Sequence, residues 1–230
     1  QQDEIEAIIQ DPGFDCTVPA ERFGHVVDAE FGVSSYADFA VRTAGPDVSL
    51  SGLKVVIDAA NGAGVSAAEP VFRSLGAEVI MLADAPDGVN INTKCGALHP
   101  EGLSEAVRTH SANVGIAFDG DADRILVVDE NGEVADGDQI MGAIAIDAKA
   151  QGQLAGGTVV ATIMSNLGLE GVLSLKGIKL ERTKVGDRYV VERLREGGFS
   201  IGGEQSGHVV LADHVTTGDA IIAAIAVLSI

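Results

Sequence analysis

The feature that most constrains the fold is a repeated unit: a short apolar run, a glycine-bearing turn, then a segment with helical spacing. The run 53-LKVVID-58 leads through 59-AANGAG-64 into the helical 65-VSAAEPVFRSLG-76, and 77-AEVIML-82 follows as the next run. Further on, a helix at 101–111 precedes 113-NVGIAF-118, and 125-ILVVDE-130 ends at Asn131-Gly132, a hairpin signal. A helix over 138–152 closes this cycle, and a second one starts with 158-TVVATI-163. It continues with a turn and helix at 164–177, a strand at 178–183, a helix at 186–198, strands at 199–203 and 208–212, and a helix at 216–230. Apolar runs this short, bounded by turns, are strands buried on both faces. Strands alternating with helices give an α/β fold. The pattern predicts two tandem three-layer α/β domains with mixed, mostly parallel sheets, joined near 152-GQLAGG-157. Upstream, residues 3–10 place Ile5, Ile8 and Ile9 on one helical face, and a second helix is predicted from Ala29 to Thr43, with Phe31, Tyr36, Phe39 and Ala40 available for packing.

Composition narrows the function classes. Hydrophobic residues make up 46% and aromatics only 4%, so the core is built from Val, Ile, Leu and Ala, as covered parallel sheets require. A formal net charge of −19 argues against nucleic-acid partners and against docking on anionic membranes. The longest apolar tract, 220-AIIAAIAVLSI-230, is shorter than the ~20 residues needed to span a bilayer. Cys16 and Cys95 offer neither a disulfide framework nor zinc spacing, which predicts a reducing, cytoplasmic setting. The chain starts without Met and stops inside an apolar helix, so a fragment of a larger protein is expected.

Three stretches carry chemistry. In 118-FDGDADR-124, Asp119, Asp121 and Asp123 follow directly on a buried strand, at its carboxyl end, where open α/β sheets hold ligands. Read as extended chain, the alternate positions face one side. Three carboxylates so close repel unless a cation sits between them, and an all-oxygen cage suits Mg²⁺ or Ca²⁺. An EF-hand is excluded, because Arg124 stands where its turn needs Gly and the flanks are strands. A phosphatase of the haloacid-dehalogenase type, with Asp119 as nucleophile, stays open, although Asp123 replaces the usual Thr. In 202-GGEQSGHVV-210, Glu204, Ser206 and His208 alternate and could present acceptors and donors to sugar hydroxyls. In 183-TKVGDRYV-190, Gly186 marks the bend, Asp187 is a candidate N-cap, and Lys184 and Arg188 could meet an anion at the helix start. The 59-AANGAG-64 segment lacks dinucleotide spacing and reads as a plain turn. His25, His110 and His214 have no partner in sequence, and His99 stays ambiguous.

FDGDADR, TKVGDRYV, GEQSGH and 216-TTGD-219, in this order, resemble the α-D-phosphohexomutase superfamily. Gln205, 90-NINTKCGALHP-100 and 164-MSNLGLE-170 are most similar to its bacterial amino-sugar branch. The resemblance implies four domains around a cleft. Residues 1–45 would be the tail of the first, 46–152 the second with the metal loop, and 153–230 the third with the sugar loop. The first-domain phosphoserine and the phosphate-gripping fourth domain would lie outside this chain. The implied reaction interconverts glucosamine 6-phosphate and glucosamine 1-phosphate through a bisphosphorylated sugar. A phosphomannomutase/phosphoglucomutase activity is the alternative within the superfamily. The resemblance implies Mg²⁺ on Asp119, Asp121 and Asp123, Arg124 on the phosphoryl oxygens, and a phosphosugar held by Glu204, Ser206, His208, Gly186 and Asp187. Asp187 stands where related phosphomannomutases carry a His, so an acid–base role of that His does not transfer. A homodimer is left open.

Overall fold

The computed structural model describes residues 2–14, 17–25, 27 and 31–230, so Cys16 and the expected helix start at Ala29 lie outside the described residues. Two compact units divide the chain between Phe31 and Gly32. The first holds helix α1 (Gln2–Gln10), whose Ile5, Ile8 and Ile9 are all exposed, and a 3₁₀ turn at Ala20–Arg22.

The second unit opens with α2 (Gly32–Thr43). A sheet follows, built from β1 (Lys54–Asp58), β2 (Glu78–Leu82), β3 (Val114–Phe118), β4 (Ile125–Val128) and β5 (Val134–Ala135), with α3 (Val65–Ser74) and α4 (Glu101–His110) between strands. Its order is β2-β1-β3-β4-β5, parallel across β2-β1-β3 and antiparallel beyond. Helix α5 (Gly137–Ala150) leads to β6 (Thr158–Thr162), α6 (Leu167–Leu175), β7 (Lys179–Thr183), α7 (Asp187–Gly197), β8 (Ile201–Gly203), β9 (Val209–Leu211) and α8 (Ala220–Leu228). The second sheet runs β7-β6-β8-β9, with only the β8–β9 pair antiparallel.

Strand alternation sorts each sheet into two faces. Val55 and Ile57 of β1 join Val71 and Phe72 of α3, whereas Val56 joins Leu103 and Val107 of α4. In the second sheet Val159 and Ala161 join Leu169 and Leu173 of α6, whereas Val160 joins Val190 and Leu194 of α7. Each sheet is therefore the middle of three layers. The α5 and α8 faces, with Ile140, Met141, Ile222 and Ile225, belong to one core that runs continuously between both sheets.

Caps fix the helix starts that matter here. Asp136 and Gln139 form a reciprocal capping box on α5, Asn166 accepts from the Leu169 amide on α6, and Asp219 accepts from the Ile222 amide on α8. The expected N-cap at Asp187 moves one place: Gly186 holds the cap position and Asp187 is the first residue of α7, its Oδ1 2.6 Å from the Arg188 amide. Gly186 has φ 128°, a conformation an L-residue resists, so the cap falls on the residue that can adopt it. Among the described residues no helix is long and apolar enough to cross a membrane.

The sheets meet edge to edge. The Ile125 amide donates to the Gly207 carbonyl at 3.0 Å, and Arg124 forms an antiparallel bridge with His208. Gly207 has φ +95°, and a Cβ there would overlap the Ile125 carbonyl oxygen. Gly207→Ala combines a positive-φ penalty with the loss of this hydrogen bond. It is expected to lower unfolding free energy by about 2–3 kcal/mol, measured by urea denaturation. A loss below about 0.5 kcal/mol would mean that the junction yields freely.

Candidate active site

Strand β3 delivers the first carboxylate. Gly115 to Phe118 are buried, and Asp119 follows at 9% exposure. The chain then turns: the Ala122 amide donates to the Asp119 carbonyl, and the Asp119 amide to the Arg124 carbonyl, closing the β3–β4 connection. Ala122 sits at φ +60°. The loop is thus a tight turn, not the extended segment that the alternation suggested. Asp119, Asp121 and Asp123 still converge, each offering an oxygen within 4.8 Å of the others. A turn that reverses direction gathers alternate residues as a pleat would, by a different route.

The electrostatics show what this arrangement costs. Burial pushes the Asp119 carboxyl up to about 6, the negative charges of Asp123 and Asp121 push the same way, and the Arg124 amide at 3.1 Å opposes them. The Arg124 guanidinium lies 3.7 Å from both Asp119 and Asp123. Asp123 Oδ1 is buried without a protein hydrogen-bond partner. Charged oxygen donors only, one of them orphaned, fit a hard divalent cation.

Two further loops cradle this one, and sequence reasoning missed their purpose. The Ala63 amide donates to the Gly120 carbonyl at 2.8 Å, and the Ala97 amide to the Phe118 carbonyl at 2.8 Å. A Cβ on Gly62 would run into the Gly120 backbone, and one on Gly96 would lie 2.6 Å from the Phe118 carbonyl oxygen. The 59–64 turn is therefore shaped for close approach to the carboxylate loop. Asp58 ties both cradling loops together, accepting from the Ala60 amide at 2.9 Å and the Gly96 amide at 2.8 Å. Burial pushes the Asp58 carboxyl up, and the two amides only partly offset this. The only sequence signal was an Asp closing a buried strand.

The second loop differs from its expected shape. Glu204 to Gly207 is a turn, with the Gly207 amide on the Glu204 carbonyl at 3.0 Å, so Glu204, Ser206 and His208 do not alternate along one extended face. Ser206 is exposed and Glu204 half-buried. His208 is 3% exposed, and its Nε2 lies 3.6 Å from Asp123 Oδ2. Burial turns it away from solvent and toward the carboxylates. Glu204 Oε1 accepts from the Gly186 amide at 3.0 Å, which joins the two loops of the second sheet. Gly186 therefore holds Glu204. Lys184 lies 5.7 Å from the Tyr189 ring centroid, and Arg188 pairs with Glu192 on its own helix at 3.0 Å. His25, His99, His110 and His214 are exposed.

The third contact is the 216–219 segment. The Ala220 amide donates to the Ala122 carbonyl at 3.0 Å, and Asp219 also accepts from the Tyr36 hydroxyl at 2.8 Å. Burial, followed by the Asp219 charge, pushes the Tyr36 hydroxyl well above its usual value. A cleft of about 350 Å³ opens here, lined by Tyr36, Ser66, Asp121, Ala122, Gly218 and Asp219 among others.

Two family models match consecutive parts of the chain. The family model "Phosphoglucomutase/phosphomannomutase, alpha/beta/alpha domain II" matches residues 34–132, and that for domain III matches residues 136–230. A phosphoglucosamine mutase of Brucella ovis is 50% identical over 227 residues, covering 99% of this chain and 50% of that protein. One from Caulobacter vibrioides is 51% identical over 227 residues, covering 98% of this chain and 50% of its own length. The chain thus spans about half the length of the curated relatives it matches. A crystal structure of a phosphoglucomutase/phosphomannomutase family protein from Burkholderia thailandensis aligns with TM-score 0.76 at 29% identity, covering 86% of this chain and 43% of that one.

The raised pKa of Asp119 couples stability to pH. With a folded pKa near 6 and an unfolded one near 3.9, the native chain holds this proton more tightly. Its contribution to stability is intact below about pH 4 and is lost as pH climbs through about 6. In metal-free buffer, Asp119→Asn should therefore melt at a higher temperature than wild type at pH 8, with the advantage gone by pH 4. An equal advantage at both pH values would refute charge burial as the cause.

Proposed function

We propose, for a chain that belongs to the phosphoglucomutase/phosphomannomutase family, that it supplies the metal-binding and sugar-binding core of a phosphoglucosamine mutase. This isomerase would interconvert glucosamine 6-phosphate and glucosamine 1-phosphate. The observation that carries the reading is the bridge between Arg124 and His208, which sets the carboxylate loop directly beside the Glu204–Gly207 loop. A site for a transferring phosphoryl group and a site for sugar hydroxyls thereby share one edge. The identity to relatives named phosphoglucosamine mutase supports the amino sugar over glucose or mannose. We place the enzyme in the cytoplasm and its phosphoserine on a part of the whole protein beyond these residues.

Asp119, Asp121 and Asp123 would hold one Mg²⁺. The ion would supply positive charge to the transferring phosphoryl oxygens, the main need in phosphoryl transfer. Arg124 is half-exposed and makes only 3.7 Å contacts, so its guanidinium is free to meet phosphoryl oxygens as well. Glu204 is oriented through Oε1 by the Gly186 amide, which leaves Oε2 for a sugar hydroxyl. Exposed Ser206 can donate to one hydroxyl and accept from another. Asp187, the first residue of α7 and next in sequence to Gly186, would offer Oδ2 as a further acceptor, since its Oδ1 takes the Arg188 amide.

Three measurements test this reading. The full-length parent should turn over glucosamine phosphate faster than glucose or mannose phosphates, and the reverse order would sink the amino-sugar assignment. Calorimetric titration of Mg²⁺ into the chain should show binding that Asp121→Asn abolishes. Binding unaffected by that substitution would place the ion elsewhere. A phosphorylated Asp119, trapped during turnover, would favour the phosphatase alternative.

A further inference from the structure

His208 is the buried group that the proposed function leaves unused. Its side chain is 4% exposed, and neither ring nitrogen has a protein hydrogen-bond partner. A buried imidazole in that condition forfeits hydrogen bonds it had in water, which is unfavourable unless the position serves another purpose. The ring is nevertheless held tightly in place. Its backbone bridges Arg124, and its carbonyl oxygen accepts from the Glu204 amide at 2.9 Å. On its other side the backbone of Gly218 packs so closely that a Cβ there would lie 2.5 Å from Nε2 and 2.7 Å from the Asp123 carbonyl oxygen.

What Nε2 faces is Asp123 Oδ2, at 3.6 Å. That is too long for a hydrogen bond, yet a movement of about 0.7 Å would make one. Asp123 Oδ1, on the other side of the same carboxylate, is buried and also lacks a hydrogen-bond partner. Among the described residues, the only ion-pair contacts of Asp123 are Arg124 on Oδ1 and His208 on Oδ2. Arg124 is exposed enough to swing away, whereas His208 is not.

We infer that His208 is a positioning residue for the cation site: it steadies Asp123 through Oδ2, so that Oδ1 is presented to the ion. It rests on the reading of Asp119, Asp121 and Asp123 as metal ligands. Residues that orient a ligand in this way typically change metal affinity 10- to 100-fold when lost. The inference also ties metal affinity to the sugar loop, because His208 belongs to the hairpin that carries Glu204 and Ser206.

The test is calorimetric titration of Mg²⁺ into the wild-type chain and three variants, with thermal unfolding of each recorded separately. His208→Leu keeps bulk and removes the donor. His208→Gln can place an amide nitrogen near the Nε2 position, and His208→Asn places one nearer Nδ1, away from Asp123. The expected result is at least tenfold weaker binding in the Leu and Asn variants, with the Gln variant within about threefold of wild type. A purely packing role would shift unfolding without this pattern. Equal affinities in all four proteins would overturn the inference while leaving the metal site standing. If His208→Leu fails to fold, the comparison of Gln with Asn decides, and equal affinity of these two overturns it. No binding by folded wild-type protein would overturn the metal-site reading and this inference with it.

Discussion

The site depends on one backbone contact, the pairing of residues 124–125 with 207–208. It carries no side-chain chemistry of its own. Its effect is to make two separate sheets share an edge, so the loop after β3 and the loop after β8 cannot move independently. Three glycines permit the approach: Gly207 against Ile125, Gly137 against the Glu204 and Gln205 carbonyls, and Gly218 against His208. The Gly137 amide donates to the Gln205 carbonyl, and the Gln205 side chain reaches Asp136, so the start of α5 is fastened to the same loop. Binding groups that act on one substrate need such mutual rigidity more than they need individual strength.

Against this stands electrostatic cost. Three carboxylates, one of them nearly buried, are gathered where each disfavours the ionisation of the next. The price is met by the continuous apolar core beneath, which runs through α5 and α8 to both sheets.

Much of this was legible in the sequence. The strands after residue 50, apart from the two-residue β5, followed from apolar runs between turns, and the parallel pairs from the helices between them. The carboxylate cluster was found, but on the wrong geometry: a pleat was assumed and a turn with Ala122 at φ +60° does the work of convergence. The same assumption failed for 204–208, where the turn buries His208 instead of aligning it with Glu204 and Ser206. Both loops are short links inside hairpins, where closing hydrogen bonds override side-chain alternation. The Tyr36–Asp219 bond was invisible because its partners are 183 residues apart and neither has a local pattern. The cradle around Gly120 was invisible too, because close approach of backbones leaves only glycines in the sequence and glycines have many uses.

The bridge has a consequence for how such a chain can vary in length. Phe118 is paired with Ile125, and Arg124 with His208, so the residues between Phe118 and Ile125 are counted from both ends. One residue more or fewer would turn Ile125 and Val127 out of the shared core and Leu126 and Val128 into it, because strand side chains alternate. It would also pull Arg124 off His208. A change of length is therefore expected to be tolerated better in segments that are not fixed at both ends in this way. The loop behaves as a ruler, and its length is as much a part of the site as its aspartates.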